Sequence, residues 1–485
     1  MALFTPGRRW QPPFFPFHKE KFGRRTLARI ERWVKGPLFG CRMCGNCLLQ
    51  ETAFICPMEC PKGMRNGPCG GSTAGRCYVD ETRPCIWYRI YERAFKMGRE
   101  EMLLEVLPPL DWDKAGTETW GGVIRQVRKF GTGRFMRSLL SRDRLKKTFA
   151  WDSVFRPLRQ PEWWQGDSEY HPPAYAEPVS GLEKQLKGGK FVVTTEVSPP
   201  LGISTGKLKR DIEMVGEFVT AVNFTDSATA SPRMSSMACC KTAAEMGIEP
   251  VLQIAARDKT RSGLQSEIMG ANLMGVRNVL CISGDHPSTG PAPTGNTNVL
   301  DLDAIQMLWI LRRMRDEGTY LDGRKMKEAP KLFLGAAASP FASEPKFQAL
   351  REHKKINAGA QFFQTNLIFD AESLDPWLEA LYARGILDKV YILAGVTPIR
   401  SLKMALHLHH KVPGISVPRR ILARFEQAGQ ESHEEIGIEI ALKIIDDLKV
   451  KQGINGIHLM SSGWESVVPR IVRESGLHSL INQPI

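Results

Sequence analysis

The sequence predicts an α/β protein: a (β/α)8 barrel preceded by a small cysteine-rich, metal- or cluster-binding domain. Three observations carry this. Eight short β-like runs recur at residues 191–197, 218–225, 249–254, 276–283, 331–337, 361–366, 390–396 and 456–461. Helical patterns lie between most of them, at 207–215, 235–246, 263–273 and 350–357, and eight alternating units are what such a barrel requires. Finally, eight of the eleven cysteines fall between Cys41 and Cys85. No G-x-G-x-x-G follows the first run, which disfavours a doubly wound open sheet.

The elements follow in order. Residues 1–40 form a basic lead-in with prolines and aromatics, ending in an amphipathic stretch at 27–34. Residues 41–85 are rich in Cys and Gly with little periodicity, which predicts loops wrapped around inorganic ligands. Residues 86–104 turn helical, and a Trp-rich segment follows. The proline-spaced stretch 171–178 reads as an interdomain linker. The domains expected are therefore 1–178 and 179–485.

A hydrophobic content of 42% supports real cores and excludes disorder as the default. No stretch reaches the roughly 18 unbroken apolar residues of a membrane helix. The N-terminus lacks the apolar middle of a signal peptide. The expectation is a cytoplasmic protein without membrane insertion. Net charge is +14 and unevenly placed: residues 1–180 hold 30 Lys and Arg against 19 Asp and Glu, a balance of +11. No nucleic-acid motif accompanies this excess, so nucleic acid is not the expected partner. The densest run, 125–147, interleaves Val127, Phe130, Phe135, Met136, Leu139, Leu140 and Leu145 with its charges. It reads as a solvated basic helical face or as a dock for an acidic redox protein.

Clustered cysteines without a signal peptide favour metal or cluster binding over disulfides. Cys41, Cys44 and Cys47 stand as C-x2-C-x2-C, followed by Cys-Pro at Cys56 and Cys60. That is close to iron–sulfur ligation by four thiolates, although the gap after Cys47 is longer than in ferredoxins. With Cys69, Cys77 and Cys85, eight thiolates fit two [4Fe-4S] clusters, or one cluster plus a zinc site. Cys239, Cys240 and Cys281 read as buried small apolar residues.

Chemistry in these barrels sits where strands end. Glu196 ends the first run, Thr225 and Asp226 the second, Gln364 and Asn366 the sixth. Asp285 follows the fourth and Thr397 the seventh. Two carboxylates at separate strand ends can act as acid and electrostatic partner, or can cap helices.

These residues also carry motifs. Thr195-Glu196-Val197-Ser198-Pro199-Pro200 resembles the first strand of methylenetetrahydrofolate reductases. Cys281-Ile282-Ser283-Gly284-Asp285-His286-Pro287 resembles their Gly-Asp-x-Pro segment, and Lys355-Ile356-Asn357-Ala358-Gly359-Ala360 their Lys-Val-x-Ala-Gly-Ala helix. Gly395-Val396-Thr397-Pro398 resembles the turn after their seventh strand. Order and spacing hold from Phe191 to Leu477. The first 180 residues resemble the cysteine-rich, methylenetetrahydrofolate reductase C-terminal-like module that accompanies this enzyme in anaerobes.

The resemblance implies a flavin, FAD or FMN, across the barrel face, passing a hydride that converts 5,10-methylenetetrahydrofolate to 5-methyltetrahydrofolate. It implies Glu196 as the acid that opens the folate ring and Asp285 as a carboxylate near flavin and pterin. Thr225, Gln253, Ser283, Gly284, Asp285 and Lys355 become the flavin-binding positions. Glu196, Asp285, Gln364, Asn366 and Thr397 become the folate-binding ones. Asn366 stands where the family has a pterin-binding glutamine, with Gln364 on the same strand face. Thr397 replaces an aromatic that stacks on nicotinamide, which points to electrons arriving through iron–sulfur clusters from an acidic, ferredoxin-like donor or partner subunit. A homo-oligomer or larger complex is the expected assembly. The alternatives are a zinc- or corrinoid-linked folate methyltransferase component and a non-catalytic electron-transfer subunit.

Overall fold

The computed structural model describes residues 15–16, 20–72, 75–291, 300–412 and 414–481; part of the lead-in expected at 1–40, residues 1–14 and 17–19, lies outside them. Eight parallel strands close into one barrel in chain order. They are β1 (Val192–Val197), β2 (Ala221–Phe224), β3 (Pro250–Ala255), β4 (Asn278–Ile282), β5 (Phe333–Ala338), β6 (Phe362–Leu367), β7 (Tyr391–Val396) and β8 (Gly456–Leu459). β8 returns to β1, with Thr194 opposite His458. Each of the eight expected runs supplies one strand.

Helices follow the strands where the pattern requires them. Helix Ser236–Glu245 begins where the Ser235 hydroxyl accepts the N–H of Ala238. Helix Ala304–Glu317 opens with a reciprocal cap between Asp303 and Gln306. Because alternate strand residues face the same side, the barrel interior is layered. The lowest layer is apolar and includes Val192, Ala221, Val251, Phe333, Phe362 and Leu393. Leu182 and Leu186, from helix Gly181–Lys187, join that layer. The next layer is polar and buried, comprising Thr194, Asn223, Gln364 and His458.

The cysteine-rich segment has little regular structure, as its composition predicts. Helix Arg25–Phe39 precedes it, a 3-10 turn at Pro57–Glu59 interrupts it, and helix Ile86–Lys96 ends it. The basic run at 125–147 is not one helical face. It is spread over helices Trp120–Phe130, Thr132–Leu140 and Arg144–Arg159, broken at Gly131, whose φ is +97°. Val127, Phe130, Phe135 and Leu139 turn inward to pack together, whereas Met136, Leu140 and Leu145 stay exposed.

This N-terminal half is fastened to the barrel. Trp164 stacks on Trp309 with ring centroids 4.1 Å apart and donates its indole N–H to the Val106 carbonyl at 3.0 Å. The capping acid Asp303 also accepts from the Arg65 backbone at 3.1 Å and from Asn66 Nδ2 at 3.0 Å. The stretch at 171–178, expected as a linker, is tied down: Tyr175 Oη donates to Glu183 at 3.0 Å and accepts from Gln361 at 2.8 Å.

Candidate active site

The C-terminal ends of the strands surround a cavity of about 340 Å³. Glu196, Thr225, Gln253, Ser283, Gly284, Asp285, Lys355, Gln364 and Asn366 all line it. Nine of the ten barrel residues given a binding or catalytic role by the resemblance thus meet in one space, and Asp226 joins them. Thr397 does not join them. It is buried, and its hydroxyl donates to the Met460 carbonyl at 2.8 Å, so its polar atom is used within the backbone framework.

Glu196 is the last inward-facing residue of β1. It keeps some exposure because the mouth opens beside it, yet protein crowds its carboxyl. Burial first, and then repulsion from Glu465, pushes its pKa up to about 7. Glu465 is itself buried and pairs with Lys207 at 3.8 Å. A carboxyl in this state holds a proton near neutrality, as a general acid must. The sequence reading missed Glu465, which reaches the site from the segment after β8.

The two amides of β6 differ in their freedom. Gln364 is locked: its Oε1 accepts from Asn223 at 2.7 Å, and its Nε2 donates to Asn223 at 3.1 Å and Thr194 at 3.3 Å. Thr194 in turn meets His458 Nδ1 at 2.9 Å, and burial lowers the pKa of that imidazole to about 3, so it stays neutral. Asn366 uses its Oδ1 on the Leu367 N–H at 2.9 Å. Among the described residues its Nδ2 donates to nothing, which leaves it free toward the mouth.

Asp285 follows Gly284, whose φ of +71° turns the chain out of β4. Its carboxylate accepts the Thr229 N–H at 2.7 Å, and Arg257 donates to its carbonyl at 3.3 Å. Farther round stand two buried cations of helix Pro345–Ala358. Lys355 donates to the Ala337 carbonyl at 2.5 Å and pairs with Glu352 at 3.1 Å; burial first, then Arg351, brings its pKa down to about 7. Arg351 is 4% exposed, and its Nη1 has no hydrogen-bond partner among the described residues. Arg351 Nη1 lies 3.8 Å from Glu352 Oε1, and a buried guanidinium nitrogen without a hydrogen bond fits an anionic group such as the phosphate of a flavin nucleotide.

The eight clustered cysteines separate into two fours. Cys41, Cys44, Cys47 and Cys56 line one small space. Cys60, Cys69, Cys77 and Cys85 line another of about 380 Å³. Burial raises the Cys56 thiol, with repulsion from Cys44, Cys41 and Cys47 added; burial likewise raises Cys60, with Cys69, Cys85 and Cys77 added. Lys35 approaches Cys47 Sγ at 3.7 Å. Burial works against its ammonium, but Cys47 and Glu31 outweigh that and raise its pKa. Among the described residues, no three His, Cys, Asp or Glu side chains converge closely enough for a single ion. All eight thiols are free. Cys239, Cys240 and Cys281 are buried, as expected.

A closed barrel of eight parallel strands with helices between them defines a (β/α)8 protein. The chain belongs to the methylenetetrahydrofolate reductase family, whose model matches residues 181–476. A second model, described as methylene-tetrahydrofolate reductase C terminal, matches residues 23–113. A probable methylenetetrahydrofolate reductase (NADPH) of Caenorhabditis elegans is 23% identical over 48% of this chain and 33% of its own length. A 5,10-methylenetetrahydrofolate reductase of Pectobacterium carotovorum is 23% identical over 49% of this chain and 73% of its own length. The chain thus spans about a third of the worm protein. A solved Clostridium thermocellum protein, described as binding two copies of 5-methyl-5,6,7,8-tetrahydrofolic acid, aligns at 14% identity with a TM-score of 0.44. That alignment covers 63% of this chain and all of that one. Among the described residues no helix is long and apolar enough to cross a membrane.

Proposed function

We propose that the barrel reduces 5,10-methylenetetrahydrofolate to 5-methyltetrahydrofolate with a flavin bound in its mouth, and that the cysteine-rich segment brings the electrons. The observation that carries this is Glu196: a strand-end carboxyl at the barrel mouth whose burial raises its pKa to about 7, in a chain of the methylenetetrahydrofolate reductase family. A bound flavin supplies the hydride. The protein's own residues do the rest. Glu196 gives a proton to the folate nitrogen that leaves as the five-membered ring opens, exposing an electrophilic methylene carbon. Asn366 Nδ2 holds the pterin edge, and Asp285 sets its orientation and the local charge. Arg351 and Lys355 take the flavin phosphate; Lys355 is one of the positions expected from the resemblance, and Arg351 is an addition to them.

The segment's eight thiols suit [4Fe-4S] clusters, because the Cys60 group surrounds a space of about 380 Å³ and, among the described residues, neither four closes on a point. Tetrahedral zinc would draw four sulfurs to about 2.3 Å from one centre. A zinc-linked methyltransferase component is the second reading, since four thiolates are also a zinc donor set. Anaerobic purification followed by an absorption spectrum, metal analysis and turnover with a low-potential donor separates them. Flavin and iron with formation of 5-methyltetrahydrofolate support reduction. A colourless zinc protein inert toward methylenetetrahydrofolate overturns it.

A further inference from the structure

The cavity around Cys60, Cys69, Cys77 and Cys85 shares a wall with the barrel mouth. Lys62, Cys69 and Tyr78 line both spaces. Cys69 is the one clustered thiol among the described residues to do so. The other four surround their own space beside Lys35.

Close contacts hold this wall in place. The Tyr78 hydroxyl accepts the backbone N–H of His286 at 2.8 Å. Lys62 donates to the Gly284 carbonyl and lies over the Tyr78 ring, 5.4 Å from its centroid. After Cys69 the chain runs Gly70-Gly71. A Cβ on Gly70 would stand 2.6 Å from Ser339 Oγ and 3.1 Å from Arg351 Nη1, and one on Gly71 would stand 2.7 Å from the Tyr78 ring. Glycine at both positions lets the backbone beside Cys69 lie inside the mouth. The two thiol groups are also neighbours. Cys56 and Cys60 flank the 3-10 turn Pro57–Glu59, one in each group, and its rise puts them on the order of 8 Å apart.

Resting on the reading of this segment as an electron carrier, we propose that the two groups act in series. Cys41, Cys44, Cys47 and Cys56 form the outer station that meets the donor. Cys60, Cys69, Cys77 and Cys85 form the inner station, and Cys69 is its face toward the mouth. Each passage moves one electron from a reduced one-electron carrier protein, which is oxidised in step. Two passages and one proton from water complete a two-electron reduction at the barrel.

The test uses the full chain, purified anaerobically as wild type, Cys69→Ser and Cys44→Ala. Each is mixed with chemically reduced ferredoxin and followed by flavin absorbance and freeze-quench electron paramagnetic resonance. Metal analysis should show about half of the iron lost in either variant, as four thiolates hold one cluster. In Cys69→Ser the outer signal should appear while the flavin stays oxidised. In Cys44→Ala neither should occur, and dithionite should bleach the flavin in both. Should Cys69→Ser disturb folding, Tyr78→Phe keeps every thiol: both signals should rise as in wild type, with flavin bleaching slowed. Flavin bleached by ferredoxin at the wild-type rate in Cys69→Ser or in Cys44→Ala, or in Tyr78→Phe where Cys69→Ser fails to fold, overturns the order while leaving the reductase reading intact. Zinc in place of iron overturns both the order and the reading of the segment as an electron carrier.

Discussion

The backbone N–H of His286 donates to the hydroxyl of Tyr78 at 2.8 Å, so a residue of the cysteine-rich segment pins the loop that leaves β4. Asp285 is the preceding residue, and its carboxylate is held from the other side by the Thr229 N–H at 2.7 Å. The acid therefore has a fixed place in the mouth, set jointly by barrel and segment. Asp285→Asn replaces a charge by a neutral isostere within that frame. It should weaken folate binding and change the rate at which folate reoxidises reduced flavin, with thermal unfolding unchanged. Identical folate affinity and reoxidation would reduce Asp285 to a loop-capping residue.

Glu196→Gln keeps the shape of the acid and removes its proton. Folate reduction should fall by about 10²–10⁴, the usual share of general acid catalysis, while flavin content and flavin reduction by an artificial donor persist. The pH dependence has a definite sign. The protonated form is the active one, so the folate step should be flat below about 7 and decline as pH rises through that value. A rate that climbs over that range would make Glu196 a base or remove it.

Glu465 raises the acid's pKa by repulsion from its buried place beside Lys207. Glu465→Gln removes that charge and leaves burial acting alone. The alkaline limb should therefore move to lower pH, with flavin content and the low-pH rate unchanged. A limb that stays put, or moves up, would show that Glu465 does not act on Glu196.

The amides of β6 should separate by what each variant damages. Gln364→Ala strands the Asn223 amide in a dry layer, at about 1–3 kcal/mol for an orphaned polar group, so denaturant midpoints should drop. Asn366→Ala should leave stability alone and raise KM for the folate. The reverse pattern would return the pterin contact to Gln364.

The barrel was legible because each strand–helix unit repeats its pattern locally, and Glu196 because a strand end is a position that can be counted. Whatever depended on partners far apart in the chain was hidden. Thr194, Asn223, Gln364 and His458 form one polar layer, yet nothing in the order of residues announces it, and that layer is what commits Gln364 and frees Asn366. Counting likewise put Thr397 at the mouth, but a nearby backbone carbonyl captured its hydroxyl. The eight cysteines permit many partitions on paper. The turn at Pro57–Glu59 separates Cys56 from Cys60 and divides them into fours. The Gly70-Gly71 pair read as loop composition, although it marks where the segment's backbone enters the mouth.

The last prediction concerns where the electrons enter. Helix Arg25–Phe39 buries Ala28, Glu31 and Lys35, and Lys35 reaches Cys47 of the outer thiol group. Its opposite face exposes Arg25, Arg29 and Arg32 around Ile30 and Trp33, which is 78% exposed. Arginine beside an exposed tryptophan is the composition of a docking patch, and this half of the chain carries +11 of the net +14. Opposite charge speeds encounter, and salt weakens it as the Debye length falls to about 8–10 Å. Turnover driven by an acidic ferredoxin should therefore fall steeply with ionic strength, whereas turnover driven by a small neutral dye should not. Reversing two charges, Arg29→Glu with Arg32→Glu, should lower the ferredoxin-driven rate at low salt and flatten its salt dependence, because charges at a rim act on association. The dye-driven rate and the iron content should match wild type, since both positions lie on the exposed face of the helix, opposite Lys35. Equal ferredoxin rates at every ionic strength would place the donor elsewhere on the chain.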